Sequence, residues 1–129
     1  MGGSFDNDDA VEWLDAFAGD GASAIETALQ TVAEFGPNDY LEAAEASHAL
    51  AAAHIVAALR DGDMDGIPAE VVTSIDQHAE AISALDVRLL ARKAVLRILK
   101  NSELKDTADD EGDEDWESHV QSIADRLKK

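Results

Sequence analysis

Between Tyr40 and Arg60 the chain reads YLEAAEASHALAAAHIVAALR, a segment in which alanine is the commonest residue. Alanine and leucine favour helix, and neither glycine nor proline interrupts the segment. Because alanine on several sides permits the close approach of neighbouring helices, we expect this helix to be flanked on more than one side. The face with the larger apolar residues carries Leu41, Ile55, Val56 and Leu59.

Glycine, proline and capping residues divide the rest of the chain into further helices. A first helix is predicted to end near Ala18, and a second at Gly36-Pro37. Ser23 and Glu26 have capping-box spacing, which predicts that the second helix begins there. Later helices are predicted over residues 68–83, 85–100 and 114–128, with a short helical segment over residues 102–108 between the last two. The chain is therefore predicted to be a single all-α domain, residues 1–129, built as a bundle of five or six helices.

An acidic loop is predicted near residues 107–115. This segment holds six carboxylates and one glycine. Clustered like charges favour a solvated, irregular conformation.

The charge of the chain is strongly negative, with 28 acidic and 10 basic residues and a formal charge of −18. Such a field repels the phosphate backbone of nucleic acids and the surface of anionic membranes, so neither is expected as a partner. Residues 1–59 contain no lysine or arginine at all. A basic protein is the kind of partner that this charge favours.

Half of the basic residues lie in the predicted helix over residues 85–100. Its apolar residues form two opposite faces, which predicts a central amphipathic helix with neighbours on both sides. We expect its cations to be directed at the acidic helices around it. One apolar face carries Leu85, Leu89, Leu96 and Leu99, the other carries Leu90, Ala94 and Ile98, and the cations are Arg88, Arg92, Lys93, Arg97 and Lys100.

Cysteine is absent, which excludes disulfides, zinc–thiolate sites and a cysteine nucleophile. The longest apolar runs, such as Ala49 to Ala53, are too short to span a bilayer. No basic-then-apolar signal segment opens the sequence, so a cytoplasmic location is expected. Phosphate-binding glycine loops, nucleophile elbows and metal-protease motifs are also missing, which favours a non-enzymatic role.

Asp61, Asp63 and Asp65 are the candidate metal ligands, because they alternate as at the start of an EF-hand calcium loop. Gly66 occupies the sixth position, where such a loop turns sharply. The twelfth position should be a bidentate glutamate, but here it is Val72. The alternative interpretation is an acidic turn between two helices. Calcium is the cofactor that this pattern suggests, and no other cofactor is expected.

Glu45 and His48 have the i, i+3 spacing of the Glu-x-x-His pairs found in di-iron helical bundles. Those bundles need a second such pair, and this chain has none. A partly buried structural histidine, hydrogen-bonded to Glu45, is therefore the favoured interpretation.

The opening Gly3-Ser4-Phe5-Asp6-Asn7-Asp8-Asp9-Ala10-Val11-Glu12-Trp13-Leu14 resembles the start of a bacterial family known as domain of unknown function 4259. The stretch Tyr40-Leu41-Glu42-Ala43 with Glu45-Ala46-Ser47 is similar to its second signature. Glu12 stands where aspartate is usual in that pattern. The resemblance implies a single helical domain and brings no reaction, cofactor or partner with it.

Three hypotheses for function follow from these features. The favoured one is a protein-interaction module or inhibitor that docks on a basic partner. The alternative is a metal-binding module or metal-dependent enzyme that uses the 61–65 aspartates or the Glu45/His48 pair. The third explains the acidity as an adaptation to a salt-rich cytoplasm. Alanine-rich helix faces also suit a homodimer.

Overall fold

A computed structural model describes residues 8–35, 39–64, 67–84, 87–100, 102–112 and 114–128. These residues form an all-α bundle of seven helices, one or two more than the sequence predicts. Leu41 and Ser102 form an isolated bridge outside the helices. The helices are α1 (Asp8–Asp20), α2 (Ala22–Ala33), α3 (Ala43–Asp61), α4 (Ala69–Ala84), α5 (Arg88–Lys100), α6 (Glu103–Glu111) and α7 (Glu114–Arg126).

The alanine-rich helix α3 lies at the centre of the bundle and packs against each of the other six helices. Residues 46–58 are buried with the single exception of His48. A helix that is apolar and small on all sides can be surrounded in this way, so the prediction of several neighbours is confirmed. Trp13 and Trp116, each 6% exposed, pack α1 and α7 into the same core.

Helix α3 begins at Ala43, three residues later than predicted, because the chain before it pairs with the start of α6. The backbone N–H of Glu103 donates to the Leu41 carbonyl at 2.8 Å. In return, Oε1 of Glu103 accepts the N–H of Ala43 at 2.9 Å. The first turn of α3 is thus capped from α6, and Glu42 makes no capping bond with its own side chain.

The predicted capping box at Ser23 and Glu26 is wrong, because α2 begins one residue earlier at Ala22. The turn is made by Gly21, whose φ of +59° lies in the left-handed region. Its carbonyl accepts the N–H groups of Ala24 and Ile25, so the helix starts without a side-chain cap.

The predicted acidic loop over residues 107–115 is mostly helical. Helix α6 continues to Glu111 and ends at Gly112, which has a left-handed φ of +68°. Within α6, Lys105 pairs with Asp109 at 2.8 Å across one turn, which offsets part of the repulsion among the carboxylates. Ser102 caps the helix by accepting the N–H of Lys105.

Helix α5 packs against α2, α3, α6 and α7 through a face that includes Ala94 and Ile98. The opposite face is not covered as predicted, since Leu89 is 67% exposed and Leu96 is 36% exposed. Leu85 lies outside the described residues.

Two cations of α5 donate hydrogen bonds to backbone carbonyls of other segments. Arg88 donates to the Leu127 carbonyl at 2.8 Å, and Arg97 donates to the Asp39 carbonyl. Carbonyls that follow a helix lack intrahelical partners, which makes the one at Leu127 a good acceptor.

Over the part of the chain that the structure describes, no helix combines the length and apolarity needed to cross a membrane.

Candidate functional site

A pocket of about 240 Å³ lies between α1, α2 and α3. Its wall is mostly apolar and contains Trp13 and several alanines, with hydroxyl groups and two acidic side chains among them. Among the described residues, no lysine or arginine lines it. The lining residues are Trp13, Ala16 and Asp20 from α1, Ser23, Ala24, Thr27, Ala28 and Thr31 from α2, and Glu45 and His48 from α3.

The structure places both members of the Glu45/His48 pair in this pocket, and both side chains are half-buried. The partial burial predicted for His48 is therefore confirmed. The Oε2 atom of Glu45 is buried and makes no hydrogen bond within the described part of the protein. A buried carboxylate oxygen without a donor is costly, which marks this position as unusual.

The pocket does not present a recognisable metal centre. Among the described residues, no group of three or more histidine or acidic side chains is arranged to hold a metal ion. Asp20, Glu45 and His48 share the pocket lining without forming such a group.

The predicted calcium loop is described only in part, because Asp65 and Gly66 lie outside the described residues. Asp61 accepts hydrogen bonds from Arg126 on both carboxylate oxygens, Nε to Oδ2 at 2.7 Å and Nη2 to Oδ1 at 2.8 Å. Arg126 also donates to the Asp63 carbonyl at 2.9 Å, and the Asp63 N–H donates to Asp61 at 3.0 Å. The hydrogen bond from Arg126 is the main cause that lowers the pKa of Asp61 to about 2.

A second surface feature surrounds Tyr40, whose side chain is 48% exposed. Its hydroxyl donates to Oδ2 of Asp106 at 2.7 Å. This hydrogen bond, together with the negative charges of Asp106, Glu103 and Asp110, raises the pKa of Tyr40 to about 12. We call these four residues, Tyr40, Glu103, Asp106 and Asp110, the acidic patch.

Sequence reasoning did not identify the acidic patch, because Tyr40 lies more than sixty residues before its partners on α6. The sequence feature that could have drawn attention to this patch is Tyr40 itself, the only tyrosine in the chain, which stands beside the start of a long helix. The Asp61–Arg126 pair was missed for the same reason, since the two residues are 65 positions apart.

Comparison with known proteins gives a family and nothing closer. No curated protein and no solved structure matches the chain. The model of the family described as Domain of unknown function (DUF4259) matches residues 2–119, including both stretches on which the resemblance rests. The chain therefore belongs to the family described as Domain of unknown function (DUF4259).

Proposed function

We propose that this protein is an interaction module whose acidic patch docks on a basic segment or surface of a partner protein. The observation that carries the proposal is Tyr40, a half-exposed aromatic side chain hydrogen-bonded to Asp106 and close to two further carboxylates. This combination offers both an apolar contact area and negative charge at one position.

Each part of the patch suits a basic partner. Tyrosine is enriched at protein interfaces because its ring buries a large area while its hydroxyl keeps a hydrogen-bond partner. The surrounding carboxylates can pair with lysine or arginine, and the net charge of −18 would speed the encounter with a basic protein.

The lysine on α6 makes its ion pair outside the patch. Lys105 pairs with Asp109, which is not a member of the patch. Glu103 and Asp106 accept hydrogen bonds from neutral groups, the Ala43 N–H and the Tyr40 hydroxyl. The patch would therefore attract a cationic partner at low salt and release it at high salt.

The test is a pull-down from a lysate of the source organism with the tagged full chain, at about 50 mM and about 500 mM salt. The patch variant carries Asp106→Asn and Asp110→Asn. The matched control carries Glu12→Gln and Asp15→Asn on the exposed side of α1, so both variants lose two negative charges. Bound proteins are identified by mass spectrometry.

We expect a stoichiometric basic protein that is released by salt, retained by the control and lost by the patch variant. Equal retention or equal loss by the two variants would assign binding to net charge alone and overturn the role of the patch. Capture of no basic protein at low salt would overturn the docking function itself.

A further inference from the structure

We infer that the exposed face of α5 is a docking surface for an acidic amphipathic helix of a partner protein. The exposed side chains of α5 are Leu89, Lys93, Leu96 and Lys100, and we call these four residues the α5 stripe. The stripe shares no residue with the acidic patch, so it is a second surface beyond the function proposed above.

The spacing of the α5 stripe matches the contact line of a two-helix coiled coil. Successive members are separated by 4, 3 and 4 residues, so they lie on one side of the helix over about 16 Å. In a heptad repeat, the two leucines would occupy d positions and the two lysines would occupy a positions. A second helix can pack along such a line at a crossing angle of about 20°.

The two leucines give the stripe apolar contact area. Leu89 is 67% exposed and Leu96 is 36% exposed, whereas the opposite side of α5 is buried in the bundle through residues such as Ala94 and Ile98. Apolar side chains in line on one helix are the anchors used when two amphipathic helices dock. Removing both leucines from water would favour association.

The charge of α5 selects an acidic partner. Helix α5 contains five cations and no carboxylate, although the whole chain has 28 acidic and 10 basic residues. Within the described part of the chain, the side chains of Lys93 and Lys100 form no ion pair and no hydrogen bond. Lys105, Arg126 and Lys128, by contrast, each pair with an aspartate. The two lysines of the stripe can therefore pair with carboxylates of another molecule.

A partner helix with glutamate at its a positions and leucine at its d positions would complement the stripe. In a parallel pair of helices, a positions face a positions and d positions face d positions. Each lysine would lay its methylene stem along the apolar line and direct its ammonium group to a glutamate. Each leucine of the stripe would contact a leucine of the partner.

A second copy of this chain and an anionic membrane are poorer matches for this face. Two copies of α5 packed along their stripes would bring four lysines together, and neither helix supplies a carboxylate. Like charges at such short distances oppose association. A membrane would extend beyond one helix, and the formal charge of −18 would repel it.

The experiment measures the fluorescence anisotropy of a labelled peptide as the full chain is added. The peptide has about 21 residues, with glutamate at each a position, leucine at each d position and alanine or glutamine elsewhere. A scrambled peptide of the same composition keeps the net charge and lacks the apolar line. Salt is kept at about 150 mM, where a Debye length of about 8 Å reduces the effect of distant carboxylates.

We expect saturable binding of the designed peptide with a Kd of about 0.5 mM or tighter, and binding of the scrambled peptide that is at least about tenfold weaker. Lys93→Gln combined with Lys100→Gln should weaken binding of the designed peptide about tenfold or more. The matched control combines Lys105→Gln with Lys128→Gln. It also loses two lysines, but outside the stripe, and should leave binding unchanged.

The apolar half of the stripe is tested by Leu89→Gln combined with Leu96→Gln. Because both leucines are exposed, the circular dichroism spectrum should stay helical and unchanged. Binding of the designed peptide should nevertheless weaken about tenfold or more.

Four results would overturn the inference. One is the absence of saturable binding with up to about 1 mM protein, or equal binding of the two peptides. Another is an equal effect of the stripe lysine variant and its control, which would assign binding to net charge or to another surface. A third is a dimer of the intact chain, seen by light scattering, that the double leucine variant dissociates, because a second copy would then cover this face. The last is cosedimentation with phosphatidylglycerol vesicles that the stripe lysine variant abolishes, which would assign the face to a membrane.

Discussion

Arg126 in the last turn of α7 binds both carboxylate oxygens of Asp61, the last residue of α3. The two residues are 65 positions apart, and the bidentate geometry fixes the end of α7 against the end of the central helix. The same guanidinium donates to the Asp63 carbonyl and so also holds the chain that leaves α3.

This pair predicts a stability difference that depends on pH. The pKa of Asp61 falls from 3.8 to about 2 in the folded protein, so the pair contributes fully above about pH 4 and is lost as the pH falls through about 2. Asp61→Asn should lower the free energy of unfolding by about 1 kcal/mol at pH 6, a figure reduced because Asp61 is 39% exposed. Urea unfolding from pH 6 down to pH 3 measures the change.

The control for this variant is Asp125→Asn, which removes a pair with Lys128 whose partners are both more than half exposed. Its effect should be within about 0.5 kcal/mol at every pH. If Asp61→Asn lowers the free energy of unfolding by the same amount at every pH down to 3, the stabilisation does not come from the charge of Asp61.

Arg126 also limits the binding of calcium by the 61–65 aspartates. Because both oxygens of Asp61 accept hydrogen bonds from Arg126, calcium must displace the guanidinium to bind there. We expect about 5 mM CaCl₂ to leave the melting temperature unchanged relative to NaCl of equal ionic strength. In Arg126→Met the competitor is gone, so any affinity of the loop for calcium should become measurable. A calcium-dependent rise in the intact chain that Asp63→Asn abolishes would support the three-aspartate site instead.

The ionisation of Tyr40 can be read directly, because it is the only tyrosine in the chain. A spectrophotometric titration at 295 nm should give a pKa of about 12, compared with 10.0 for an unperturbed tyrosine. Asp106→Asn removes a negative charge and the strongest acceptor, so it should bring the pKa back towards 10. Asp15→Asn on α1 serves as the control and should leave the midpoint unchanged. A midpoint near 10 in the unmodified chain would show that the Tyr40–Asp106 bond does not persist in solution.

Replacing Gly19 or Gly21 with alanine should change the stability of the protein in opposite directions, although the two glycines are only two positions apart. Gly19 lies within α1, and an added Cβ meets nothing within 4 Å, so Gly19→Ala should stabilise the protein by about 0.5–1 kcal/mol. Gly21 has a φ of +59°, and an added Cβ would lie 2.5 Å from Nδ1 of His78. Gly21→Ala should therefore cost about 1–3 kcal/mol.

Thermal or urea unfolding measures both glycine variants. Adding His78→Ala to Gly21→Ala separates the two causes, since it removes the steric clash and leaves the backbone strain. A neutral Gly21→Ala would mean that the turn between α1 and α2 relaxes.

The two faces of α5 should differ strongly in their contribution to stability. Ile98 is fully buried, and Ile98→Ala should cost about 2–5 kcal/mol. Leu89 is 67% exposed, and Leu89→Ala should change the free energy of unfolding by no more than about 0.5 kcal/mol. Both values come from urea unfolding at two protein concentrations, with light scattering to measure the mass. A large, concentration-dependent loss in Leu89→Ala would instead indicate that a second copy covers this face.

The sequence predicted features that depend on local composition. Alanine on every side of one uninterrupted helix predicted that α3 has neighbours on more than one side. On α5, periodicity identified two apolar faces, but the prediction that neighbouring helices cover both of them is wrong for the face that carries Leu89. Which face of α5 is covered depends on how the neighbouring helices pack, and this packing leaves Leu89 exposed.

The sequence predicted only the part of the candidate site that lies on α3. Spacing placed Glu45 and His48 one turn apart on α3, but the opposite wall comes from Trp13 and Asp20 on α1. No local pattern links these segments. A contact between distant segments also explains why α3 begins later than predicted. Leu41 pairs with Ser102, and this pairing takes the place of an earlier helical turn.

The pairing of residues 39–43 with α6 also orders events during synthesis of the chain. The groups that hold this segment are the side chains of Arg97, Glu103 and Asp106, all more than fifty residues further along. Until they leave the ribosome, the first turn of α3 has open N–H groups. We therefore expect the first turn of α3 to form stably only after α6 has been synthesised.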